Sequence, residues 1–258
     1  MSRMHIILQL LAGFLVGSSL ALGPTAHAID LLKEGHSFIG EGYSMGKDER
    51  QLLFHLDRSL DAKEGVAHAI FKDLEGRELV TEVTRYDSKG AVTAYEVRHH
   101  QLGERGLIEA VGDKLVFSKW AAGESEPTRR EEPLVANWVV GPSLVPLIAY
   151  GWSDLEAGKR IPVRLALWDR QETIGFEVFK DRVETAPDGR SHAVIKLKPS
   201  NFLISALVNP VLFGFGMDGR SLDWVKGRVL PLRQAGSKLK SLDAEVVYLS
   251  RPKPAGKR

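Results

Sequence analysis

Along most of this chain apolar side chains return at every second residue, and that period admits one kind of backbone. Successive side chains of a strand point to opposite faces, so alternation marks a strand with one face buried. Ile161, Val163, Leu165 and Leu167 share a face, with Pro162, Arg164 and Ala166 opposite. Ile174, Phe176 and Val178 repeat the pattern, as do Ala193, Ile195 and Leu197, then Ala244, Val246 and Tyr248. Turn-forming stretches separate such runs: Ser88-Lys89-Gly90, Gly112-Asp113, Pro187-Asp188-Gly189 and Asp218-Gly219. The spacing predicts strands near 36–45, 51–60, 66–74, 78–87, 91–101, 106–111, 114–120, 127–131, 159–169, 172–184, 190–198, 211–217, 224–234 and 241–250. Connections this short force neighbours to pair antiparallel, because a parallel crossover takes a dozen residues or more. A twisted sheet of that many strands tends to curl or close. The expected fold is mainly β: a large curved antiparallel meander, a half-open barrel, covered by about two short apolar helices.

Two stretches without charge interrupt the alternation. One centres on "WVVGPSLVPLIAYGW", Trp138 to Trp152, and the other is "PSNFLISALVNPVLFGFGM", Pro199 to Met217. In the first, Ser143 is placed to cap a helix with Pro146 in its first turn, and Leu144, Leu147 and Ile148 share a face. In the second, Asn201, Ser205 and Asn209 recur every fourth residue while Phe202, Leu203, Ala206 and Leu207 fill the rest, a helix with a narrow polar stripe that Pro210 stops. A membrane-crossing helix needs about 20 mostly apolar residues with an intact hydrogen-bond ladder. Gly141, Pro142 and Pro146 break the first stretch, and Pro210, Gly214 and Gly216 break the second, so no transmembrane span is expected in the mature chain. Both are expected to pack on the sheet, either as its core or as a lid over an apolar hollow. Leu144, Leu147, Ile148, Trp152, Phe202, Leu203, Leu207, Phe213 and Phe215 are the residues expected to wall that hollow.

The first 28 residues read as an export leader. Ser2, Arg3 and His5 precede an apolar run from Ile6 to Leu22, and Ala26-His27-Ala28 offers a small-x-small cleavage site. Residues 29–250 then form one β-rich domain, and "RPKPAGKR", 251–258, a basic disordered tail. The expected location is the periplasm. The chain has no cysteine, so no disulfide staples it, and a mature chain of this length buries enough apolar surface to do without. Removing the leader leaves 34 basic against 33 acidic side chains, a balance that gives no pull towards nucleic acid.

No catalytic constellation emerges. A G-x-S-x-G elbow and a phosphate-binding loop are both missing. Ser143 has no nearby base and reads as a helix cap. His99 and His100 are adjacent on a strand, so they point to opposite faces and cannot share a metal ion; no metal and no cofactor are expected. Glu131, Glu132, Asp181 and Glu184 lie among basic residues and read as solvated charges, not as a glycosidase pair. Trp120, Trp138, Trp152, Trp168 and Trp224 are spread over different elements, which favours packing over a sugar-stacking platform.

The order of parts resembles an uncharacterised bacterial family of periplasmic domains of unknown function, similar in architecture to the open β-barrels of the LolA and LolB lipoprotein carriers. The likeness is carried by "GPSLVPLIAYGWSDLEAGKRIPVRL", Gly141 to Leu165, and by the closing "MDGRSLDWVKGRVLPLR" with "LDAEVVYL". Leu155, Gly158 and Lys159 match the family's block after the helix, and Arg228 and Pro231 its last hairpin; Trp224 following Asp223 departs from it. The resemblance implies a concave sheet covered by helices, able to hold acyl chains or an apolar polypeptide segment, and supplies no catalytic residue. The expected protein is therefore a non-enzymatic periplasmic binder of a lipid, a lipidated partner or another apolar molecule. A cell-envelope scaffold that binds a protein partner, and a glycan-binding module, are the alternatives.

Overall fold

A computed structural model describes residues 38–45, 50–61, 63–186, 189–201 and 209–250. The strands are β1 (Phe38–Ser44), β2 (Leu52–Asp61), β3 (Val66–Lys72), β4 (Glu78–Tyr86), β5 (Val92–His99), β6 (Glu104–Val111), β7 (Lys114–Trp120) and β8 (Thr128–Pro133), then β9 (Trp138–Val139). After two short helices, α1 (Leu144–Tyr150) and α2 (Trp152–Glu156), come β10 (Ile161–Leu167), β11 (Glu172–Thr185), β12 (Ser191–Pro199), β13 (Val211–Gly216), β14 (Leu222–Ala235) and β15 (Lys238–Ser250). All 15 belong to one sheet, ordered β8-β7-β6-β5-β4-β3-β2-β1-β15-β14-β13-β12-β11-β10-β9. The first and last strands thus meet in the middle, Gly42 opposite Val246, and the meander runs outward in both directions.

One pairing departs from the antiparallel expectation. β9 runs parallel to β10, Trp138 beside Arg164, because the helical segment between them supplies the crossover that a parallel pair requires. Elsewhere tight turns enforce antiparallel pairing. Val111 faces Lys114 across Gly112-Asp113, and Gly112 takes the positive φ, 60°, that this turn needs.

The sheet is open, yet its two ends approach. Gln171, in the turn between β10 and β11, donates from Nε2 to the Thr128 carbonyl at 2.9 Å and accepts from the Thr128 hydroxyl at 3.0 Å. Glu132 on β8 accepts from both the backbone N–H and the hydroxyl of Thr173, at 3.1 and 2.7 Å. Side chains make this seam, and no backbone ladder crosses it. Gln171 holds φ at 53°, a left-handed conformation that costs a non-glycine residue about 1 kcal/mol or more and that these contacts offset.

Curling gathers the core on one face in two clusters. The first includes Phe54, Leu56, Phe71, Val80, Val97, Ile108, Leu115, Phe117, Trp168 and Val246; the second includes Ile148, Leu155, Val163, Val178, Ile195, Leu197, Phe213 and Phe215. Trp168 lies flat against Gly106, where an added Cβ would come within 2.6 Å of the indole; only glycine lets the far end of the sheet settle on β6. Among the described residues no helix is long and apolar enough to cross a membrane.

Candidate functional site

Segment 138–156 crosses the concave face as a roof. Pro142 heads a single 3-10 turn, Gly141–Ser143, and α1 and α2 follow, separated at Gly151. Ser143 stands at the N-cap of α1 but does not cap it: its hydroxyl accepts from the Val140 N–H at 3.0 Å and donates to the Val140 carbonyl at 2.9 Å. The expected cap is corrected because Ser143 already belongs to the preceding 3-10 turn, whose own backbone groups are its nearest partners.

The wall residues read from the sequence divide in three. Leu144, Ile148, Phe213 and Phe215 are buried in the second cluster, and Leu147 and Trp152 pack against it half-buried. The structure brings these six together. Phe202, Leu203 and Leu207, with the helix expected around them, lie outside the described residues. Trp152 fastens the end of the roof: its ring lies 5.8 Å from that of Phe215 and covers Gly219, where a Cβ would meet the indole at 2.2 Å.

The expected open hollow beneath Trp138–Trp152 is not seen among the described residues. Leu144 and Ile148 fill the space, Ile148 with no exposure at all, because an uncharged roof gains most by burying its own side chains. Beside the roof lies a shallow gap without room for a water molecule, lined by Arg58, Ala67, His68, Ala69, Glu82, Thr84 and Pro142. Register explains its composition. Arg58, Ala69 and Glu82 stand abreast on β2, β3 and β4, on the face that buries Leu56 and Val80, and the two alanines leave a gap between longer neighbours.

Four of the seven residues around this gap, Arg58, His68, Glu82 and Thr84, are polar or charged. Arg58 Nη2 donates to the Pro142 carbonyl at 3.2 Å, tying β2 to the roof, and its guanidinium also bonds Tyr248. The buried Tyr95 hydroxyl donates to Glu82 Oε1 at 2.6 Å. Burial raises the Glu82 carboxyl above its ordinary range, against the Tyr95 hydrogen bond and the Arg58 charge. Burial also opposes the Arg58 charge, but Tyr248, Glu82 and Tyr86 outweigh it and hold the guanidinium protonated. Burial pushes Tyr86 up to about 12. Thr84 Oγ1 is buried and makes no hydrogen bond of full geometry.

A second cover lies over the first cluster. The strands β14 and β15 shift register between Val229 and Leu232, and the displaced backbone reaches β5: His99 Nε2 bonds the Leu230 carbonyl at 3.1 Å, and Gln101 pairs with Leu232 through both its amide groups, at 2.9 and 2.8 Å. Parity alone could have found the polar row, since Phe54, Leu56 and Arg58 alternate onto one face, as do Val80, Glu82, Thr84 and Tyr86. The seam and the hairpin contacts left no sequence signal.

The remaining candidates are structural. Glu131 pairs with Lys114, Asp181 with Lys196 and Arg182, and Glu184 with Arg182. Trp138, Trp152 and Trp168 pack on the clusters, so the five rings form no common platform. His99 is buried and its neighbour His100 exposed, as opposite faces require. No group of three or more metal-ligating side chains occurs among the described residues. The outer face has a recess of about 780 Å³ lined by Arg50, His192, Asp223, Trp224, Lys226 and Glu245 among others. There His192 pairs with Asp223, and Arg50 and Lys226 with Glu245.

The class that fold and site define is an open, curled antiparallel sheet, barrel-like in outline, with a helical roof on its concave face. Among solved structures the chain is similar to a β-barrel-like protein of a domain of unknown function, DUF1849, from Brucella abortus, at 6% identity and a TM-score of 0.46, over 84% of this chain and 96% of that one. It is also similar to a LolA superfamily protein from Nitrosomonas europaea, at 10% identity and a TM-score of 0.24, over 89% and 96%. No family model matches the chain, and no curated protein does.

Proposed function

We propose that this is an exported, periplasmic, non-enzymatic binding protein that holds an apolar or acyl-chain ligand on the concave face of its sheet, beneath the roof 138–156. The ligand takes the place of side chains that the roof supplies when the site is empty. The observation that carries this reading is how the interior is filled: its apolar plug comes from a broken segment, free of charge from Trp138 to Ser153, that crosses the opening. A plain core would be closed by the sheet's own residues. Leu144 and Ile148 enter from two short helices with a joint at Gly151, and Arg58 holds the near end by one charge-assisted bond to Pro142. With β9 kept in the sheet, lifting α1 and α2 breaks the Arg58–Pro142 bond and the Lys180–Glu156 pair and leaves a trough lined by Ile195, Phe213 and Phe215 among others, the apolar concavity that small-molecule sites share.

Docking of a protein strand on the sheet edge is the less favoured reading. β8 presents Arg129, Arg130, Glu131 and Glu132 in succession, and charges of this kind guard an edge against added strands. Native mass spectrometry of protein extracted gently from the envelope tests the proposal. A copurifying apolar molecule is expected, with slower amide exchange in 138–156 when it is bound. Protein that carries no such molecule, and whose roof exchange is unchanged by added acyl chains, overturns it.

A further inference from the structure

We infer that the polar row beneath the roof is a head-group subsite, in which Arg58 and Thr84 receive the anionic oxygen end of an acyl-chain amphiphile. The inference rests on the proposed carrier reading and adds the chemical class of its ligand. Three observations lead to it. Arg58 stands on the core side of β2, yet the hydrogen bonds of its guanidinium go to neutral groups, the Pro142 carbonyl and Tyr248. A guanidinium offers five donors, and its bonds to an anionic oxygen are shorter and roughly twice as strong as bonds between neutral groups. A ligand oxygen entering as Pro142 lifts therefore exchanges a weaker partner for a stronger one.

Thr84 supplies the second observation. Its hydroxyl is buried at 1% exposure, lines the same gap and makes no hydrogen bond of full geometry, its contact with the Tyr86 hydroxyl falling short of one, and a buried group left so poorly satisfied calls for an explanation. An oxygen held by Arg58 would satisfy it. The third is the sign of the charge. The gap is lined by one permanent cation and by one carboxyl whose ionised form burial opposes, so an anion is favoured there over a cation. Ala67 and Ala69 keep side-chain bulk out of the gap, and Pro142, which lines it, stands two residues before Leu144 in the roof, under which the tail would lie.

The test is fluorescence titration of the full chain with 11-(dansylamino)undecanoic acid and with its methyl ester, which differ only in the charge of the head. The acid is expected to bind about tenfold tighter than the ester. Arg58→Met combined with Glu82→Gln removes the guanidinium and the carboxyl together while leaving Tyr95 an acceptor. This variant is expected to abolish the difference in affinity between acid and ester; because it also frees Pro142 of the roof, the ratio of the two affinities is the readout. Thr84→Val, nearly isosteric, is expected to weaken the acid about threefold and not the ester. Acetate and inorganic phosphate are expected not to displace the probe; displacement by either would make this a site for free anions and overturn the assignment. Equal affinity for acid and ester, or a preference for acid that survives in the double variant, overturns the inference and leaves the carrier reading standing. If neither probe binds, both fail.

Discussion

The two clusters on the inner face of the sheet, the first the larger of the two, differ in chemistry. In the second, beneath α1 and α2, every buried member is apolar. Within the first lie Glu82, Thr84 and His99, all buried, with Arg58 beside them. A cluster that only had to hold the fold together would resemble the second, since buried charge costs stability unless its partners are good. The difference teaches that covering and recognition are divided. On the proposed reading, the roof covers the second cluster and the polar row of the first is where the ligand's head belongs.

The largest effect expected of any single change lies in the apolar cluster. Phe215→Ala removes a ring buried to 1% exposure and should lower unfolding free energy by about 3–5 kcal/mol, read by denaturant titration. A loss below about 1 kcal/mol would mean that the roof is not packed on it. The polar row should behave otherwise. Arg58→Met alone removes the guanidinium beside the buried Glu82 and leaves the Pro142 carbonyl without its donor, and should cost roughly 1–3 kcal/mol. With Glu82→Gln added, most of that loss should return, because paired polar groups replaced together are often close to neutral. A double variant as unstable as the single one would make the row a structural necessity and erase the contrast between clusters.

The smallest effect concerns pH. Burial lowers the pKa of His99, whose Nε2–H is held by the Leu230 carbonyl and whose Nδ1 has no partner. The unfolded chain, titrating near 6.5, takes up a proton that the fold resists. The stability contribution is therefore complete above pH 6.5 and is lost as pH falls below it. His99→Gln, which keeps a donor for Leu230, should flatten the dependence of melting temperature on pH just below 6.5; an unchanged slope would show that His99 is protonated in the fold.

How much of this was legible beforehand follows from which forces are local. Alternation is local, and each of the 14 strands expected has its counterpart among the 15 found. The two-residue β9 was missed because two residues carry no period. The junction of β1 with β15, the Gln171 seam and the grip of Gln101 on Leu232 bring together residues far apart in sequence, and the last spans 131 positions. The roof was legible as uncharged and broken, and Leu144, Ile148, Phe213 and Phe215 do meet. Its filling of the expected hollow was not, since whether a lid stands open depends on packing that no local pattern encodes. Arg58 and Glu82 were legible by parity but read against it, because a charged residue on a strand is ordinarily solvated.

The central claim is that the concave face under 138–156 takes an acyl chain in place of the roof's own side chains. Photo-cross-linking with a fatty acid bearing a diazirine near its methyl end, followed by peptide mapping, measures this directly. Adducts should fall on inward-facing residues such as Ile148, Ile195 and Phe213, and should vanish in the presence of excess unlabelled fatty acid. Adducts confined to the outer face around Trp224, or none that compete, would contradict it.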